Sequence, residues 1–177
     1  MQSMTDVERQ AWGIFFKVLR AWKEAKEEGA TDAGRTLAFA RSVLYDPSKP
    51  NMPMSGTWQP GRDDSITVVA GAEDMMVDWC YRHHSIATMW YKWGWECPRL
   101  ELASNGVYSE ATRTRLCAAM RVTNGWEIRA KKEGHRRTWY VSSVYMPFPA
   151  TKADFSSCKE KGYIVEFQDG MTLPAPF

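Results

Sequence analysis

Apolar residues at Val7, Ala11, Ile14, Phe15, Val18, Leu19 and Trp22 recur at intervals of three and four. That is the spacing of one buried stripe on a helix. Thr5-Asp6-Val7-Glu8 opens the run as a capping box, with Thr5 as N-cap and Glu8 reaching back to it. Gly29 is a natural stop. Thr31 or Asp32 then caps a second helix, with Ala33, Leu37, Ala40 and Leu44 on one side, and Pro47 ends it. Residues 1–46 therefore read as a helical hairpin. Prolines at 47, 50, 53 and 60 and glycines at 56 and 61 make residues 47–64 a linker or a long exposed loop.

Beyond it the period changes, and 65–177 reads as one α+β domain. Ser65–Ala70 is a short strand. Met75, Met76, Trp79 and Cys80, at i, i+1, i+4 and i+5, place a short helix at Ala72–Arg82. Ser85–Trp95 is aromatic and strand-like, and Pro98–Ala103 is a further strand. Ser109 is a good N-cap for a helix through Met120. Trp126–Ala130 and Arg137–Tyr145 alternate on either side of a polar loop, residues 131–136, after the turn signal Asn124-Gly125. This is the clearest β-hairpin in the chain. Thr151 caps a short helix through Lys161, Tyr163–Gln168 is a last strand, and the tail is extended. The fold class expected is α+β: an N-terminal helical hairpin and a mostly antiparallel sheet with short helices.

Composition changes this picture at two points. Nine tryptophans in 177 residues is a high count. Most are expected to fill the core, and any on the surface would be docking anchors. The charge is also uneven. Between Ala111 and Tyr140 stand eight cations, Arg113, Arg115, Arg121, Arg129, Lys131, Lys132, Arg136 and Arg137, against only Glu127 and Glu133, in a chain whose net charge is +2. A local excess of this kind fits a polyanion, an acidic protein face, or a loop charged only for solubility.

The candidate binding residues are therefore Arg113, Arg115, Arg129, Lys131, Lys132, His135, Arg136, Arg137 and Trp139. A two-stranded ribbon tipped by cations can track phosphates or enter a groove, and flanking rings can stack on unpaired bases.

Other chemistry is weakly signalled. Cys80-Tyr81-Arg82-His83-His84 has C-x-x-H spacing, but tetrahedral zinc needs a second pair, and none stands at familiar spacing. Cys80, His84 and Asp78 are the residues a small thiol enzyme would use. Glu73, Asp74 and Asp78 form a minor acidic cluster. There is no G-x-S-x-G, P-loop or G-x-G-x-x-G, and no cofactor is expected. Four cysteines without a C-x-x-C, and a polar start, point to reduced thiols and a cytoplasmic location. No apolar run is long enough to span a bilayer, so no membrane partner is expected.

Three segments carry a family resemblance. They are Ser85-Ile86-Ala87-Thr88-Met89-Trp90, then Pro98-Arg99-Leu100-Glu101-Leu102, then Asn105-Gly106-Val107-Tyr108-Ser109-Glu110-Ala111-Thr112. This order, S-x-x-T, a short strand, then G-x-Y-S-x-x-T leading into a basic helix, resembles the core of small uncharacterised domains of tailed bacteriophages. Ile86 stands where those domains have an aromatic residue, and Ala111 where they have a threonine. The resemblance covers about thirty residues and implies a phage-encoded protein, but no activity. With it, the expected function is a non-catalytic protein that binds and modulates a host protein or complex in the host cytoplasm. A nucleic-acid-binding accessory protein using the hairpin 126–145 is the alternative. A small enzyme or metal protein around Cys80 and His84 is the third.

Overall fold

The computed structural model describes residues 5–27, 55–70, 74–92, 95–123 and 125–174. In order they form α1 (Asp6–Glu27), β1 (Ser55–Gly61), β2 (Asp64–Ala70), β3 (Asp74–Tyr81), β4 (His84–Lys92), β5 (Arg99–Leu102) and α2 (Glu110–Met120). A 3-10 turn, Arg121–Thr123, leads into β6 (Trp126–Glu133) and β7 (Arg136–Ser143). Then come α3 (Lys152–Glu160), β8 (Ile164–Glu166) and β9 (Met171–Pro174). The architecture is α+β. All strand pairs are antiparallel, in two sheets, β1-β2-β3-β4-β5-β9 and β6-β7-β8.

The first helix forms as its sequence dictates. The Thr5 N–H donates to the Glu8 carboxylate at 2.9 Å, and the Glu8 N–H donates to the Thr5 hydroxyl at 3.3 Å. Each satisfies a donor the helix start leaves open. Ala11, Phe15 and Leu19 are buried as one stripe on a helix that packs against α2, β1 and the 3-10 turn, with Phe15 beside Trp79 of β3. The second helix of the expected hairpin, residues 31–46, and residues 47–54 of the expected linker lie outside the described residues.

Two expectations need correction. The segment Ala72–Arg82, expected as a helix, is β3 over Asp74–Tyr81. Met75, Val77, Trp79 and Tyr81 are buried and alternate with Asp74, Met76, Asp78 and Cys80 on the other face. Apolar residues at i, i+1, i+4 and i+5 fit either period. Pairing with β2 on one side and β4 on the other decides it. The loop expected over 47–64 is shorter, because β1 begins at Ser55. Its Pro60 is tolerated because β1 is an edge strand, and the register shifts between Trp58 and Gly61. A Cβ at Gly61 would lie 2.9 Å from Val7 Cγ2 of α1, so the Val7 side chain would have to shift to admit one.

One core joins both sheets. Met89, Tyr91, Leu100 and Leu102 extend the buried face of the large sheet. Leu116, Ala119 and Met120 of α2 cover it, and Ile128, Trp139 and Val141 approach from the small sheet. The far side of the small sheet is closed by α3, whose Phe155 meets Tyr140 edge to face with 4.9 Å between ring centroids. No tryptophan whose side chain is described is exposed. Trp79 and Trp139 are buried, and Trp12, Trp90, Trp95 and Trp126 are half-buried.

Candidate interaction surface

The hairpin β6–β7 is longer and tighter than its sequence implied. Pairing runs from Trp126↔Ser143 to Glu133↔Arg136, so Lys131, Lys132 and Glu133 belong to a strand. Only Gly134 and His135 form the turn. Gly134, at φ 63°, supplies the positive angle that a two-residue hairpin turn needs.

Four of the candidate cations serve the fold. Arg113 pairs with Glu110, and its Nη1 donates to the Ile128 carbonyl at 2.9 Å, tying α2 to β6. Arg115 donates from Nε and Nη2 to the two carboxylate oxygens of Asp64 at 2.7 and 2.9 Å. Its guanidinium lies 3.9 Å from the centroid of the Tyr81 ring. Asp64 is 3% exposed and also accepts the Trp79 indole N–H at 3.0 Å. Arg129 pairs with Glu127 and lies over Phe148. Lys131 Nζ stands 3.4 Å from the centroid of Phe155 and 3.5 Å from a Glu133 oxygen. Trp139 is 2% exposed, edge-on to Tyr108 and Phe167. A ring so placed has no face left for a base to stack on.

Lys132, His135, Arg136 and Arg137 remain, all exposed at the tip. Lys132 and Arg137 are cross-strand partners, so two like charges stand side by side. Such a pair costs stability unless something anionic lies against it. Among the described residues none of the four side chains makes a hydrogen bond or ion pair within 4 Å. Tyr108 belongs to the same surface. It rests on Trp139 at 4.8 Å between centroids, is 48% exposed, and follows Val107, 50% exposed. The Glu110 carboxyl is held below its usual range, first by the Arg113 hydrogen bond and, more weakly, by the charge of Arg137. The tip and the loop before α2 therefore adjoin. Trp139 of β7 lies against Tyr108 and leaves it half exposed.

The residues around Cys80 are arranged for structure. Asp78 accepts from Cys80 Sγ at 3.2 Å, from Thr88 Oγ1 at 2.7 Å and from Ser85. Burial first, and then Asp78, push the Cys80 thiol up to about 11, which is the opposite of nucleophile activation. Cys80 pairs across the sheet with Ser85, while His84 pairs with Tyr81 beside the turn. Among the described residues no three His, Cys, Asp or Glu side chains are placed to hold a metal ion. No described helix is long and apolar enough to cross a membrane.

The residues that carried the phage-domain resemblance also have local structural roles. Ser85 and Thr88 bind Asp78 and lie 3.0 Å apart. Ser109 accepts the Thr112 N–H at 3.1 Å and caps α2. Compared with protein-family models, with curated proteins and with solved structures, the chain has no significant match in any of the three.

Proposed function

We propose that this chain is a non-catalytic binding protein whose contact surface is the β6–β7 tip, with Lys132, His135, Arg136, Arg137 and the adjoining Tyr108. Its partner is a protein with an acidic face. On the resemblance to tailed-phage domains, that partner belongs to the host.

The observation that carries this reading is the division of the basic stretch. Four candidate cations are engaged in the fold, and those that are not are gathered at one exposed tip beside a half-exposed tyrosine. A small cluster of unpaired cations with an aromatic neighbour suits the rim and anchor of a protein interface. It is a short footprint for nucleic acid. Three permanent cations on duplex DNA would give a log–log salt slope of only about −2.7, and the ring best placed by sequence for stacking, Trp139, is buried.

The test is affinity capture from bacterial lysate with the wild-type chain and with Lys132→Glu/Arg136→Glu/Arg137→Glu. A protein retained by the wild type, lost with the variant and still retained after nuclease treatment supports the reading. Retention that nuclease removes transfers the tip to nucleic acid.

A further inference from the structure

The turns of the first two hairpins lie side by side at one end of the large sheet. Arg62 and Asp63 carry β1 into β2, and Arg82 and His83 carry β3 into β4. The Arg82 N–H donates to the Asp63 carbonyl at 2.7 Å, and Arg82 Nε stands 3.5 Å from the Asp63 carboxylate. Both Arg82, at φ 50°, and His83, at φ 67°, are in the left-handed region that side chains rarely enter. An open cleft of about 420 Å³ lies here, with Gln59, Arg62 and Asp64 on the β1–β2 side and Arg82 and His83 on the other.

The lining holds two arginines and two aspartates, Asp63 among them, and a third arginine, Arg115, engages Asp64 from outside it. Asp64 is taken by Arg115 and Trp79, and Asp63 faces Arg82. Among the described residues Arg62, His83 and Gln59 have no hydrogen-bond or ion-pair partner. What is left unengaged is a guanidinium, an imidazole and an amide, each with an N–H to donate, around a floor locked by a bidentate ion pair. Next to the cleft, the Tyr81 ring has the Arg115 guanidinium 3.9 Å and the Arg82 guanidinium 5.2 Å from its centroid. A polar, preorganised cleft with a free guanidinium suits an anion that accepts several hydrogen bonds, and phosphate is the one arginine matches best. The volume falls within the range of small-molecule sites and exceeds what a bare ion fills.

We propose that this cleft binds a small phosphate monoester, the phosphate held by Arg62 and His83. The site is separate from the β6–β7 tip and does not depend on the reading given for it. The test is an amide-shift titration of the isotopically labelled full chain with adenosine 5′-monophosphate, ribose 5-phosphate, inorganic phosphate and adenosine. Saturable shifts confined to 59–65 and 81–84 with at least one ester are expected. Arg62→Ala and His83→Ala should each weaken them by about tenfold or more, which is about 1.4 kcal/mol, and the triple tip variant should leave them unchanged. Both single substitutions lie at exposed turn positions, so unchanged shifts elsewhere report an intact fold. The proposal is overturned if neither ester produces saturable shifts there, or if either single variant binds as the wild type does. It is equally overturned if inorganic phosphate binds as tightly as the esters, or if adenosine alone reproduces the shifts.

Discussion

Asp64 shows how much one side chain carries in this protein. It is buried, accepts two hydrogen bonds from Arg115 and one from Trp79, and thereby ties β2, β3 and α2 together. Asp64→Ala leaves the guanidinium and the indole N–H without their acceptor. Breaking a buried pair this way costs about 3–5 kcal/mol, and chemical denaturation should show a loss of that size. Cys80 makes a prediction of the opposite kind. Its thiol is raised from 9.0 to about 11, so the thiolate fraction at pH 8 falls about 100-fold. The sign is fixed by the direction of the shift: an acid with a raised pKa keeps its proton to higher pH. Since a more basic thiolate is also the better nucleophile, peptide-level mass spectrometry after brief alkylation at pH 8 should find Cys80 about tenfold slower than an unhindered thiol. Fast labelling of Cys80 would restore it as a candidate nucleophile.

At the scale of elements, local signals were readable where chemistry is local. The Thr5–Glu8 capping box, the Ser109 cap and the Thr151 cap all form as their residues dictate. Ser109→Ala removes the acceptor for the Thr112 N–H and should cost about 1 kcal/mol in a thermal or denaturant melt; no change would mean that the cap is dispensable. Where the sequence misled, the deciding contacts were distant ones. Met75-Met76…Trp79-Cys80 satisfies a helical and an alternating pattern alike. Only β2 and β4, which follow the strand period on either side, select the strand. The β1 strand was hidden by Pro60 and Gly61, because an edge strand has no outer ladder for proline to break and a Cβ at 61 would press on Val7 of α1.

For the whole molecule, the uneven charge was legible in sequence and its use was not. Arg113, Arg115, Arg129 and Lys131 read as free cations because, beside the local acids Glu110, Glu127 and Glu133, their partners are the Ile128 carbonyl, Asp64, Phe148 and Phe155, which the fold brings to them. Asp64 lies 51 residues away from Arg115. What the sequence did place correctly is the hairpin that carries the tip. The Arg82-His83 turn lay within a segment considered for metal ligation. Recognising β3 and β4 as a hairpin would have put both side chains on an exposed turn beside Arg62. On the two proposals, the β6–β7 tip takes a macromolecular partner and the β1–β2 and β3–β4 turns a small anion, and the variants of each should not affect the other's binding.

The most direct measurement is affinity capture from nuclease-treated bacterial lysate, with wild type and the Lys132→Glu/Arg136→Glu/Arg137→Glu variant side by side and both confirmed folded by circular dichroism. The account predicts a protein retained by the wild type and absent with the variant, with retention weakening as salt is raised. Equal retention by the two chains, or retention that depends on nucleic acid, would contradict it.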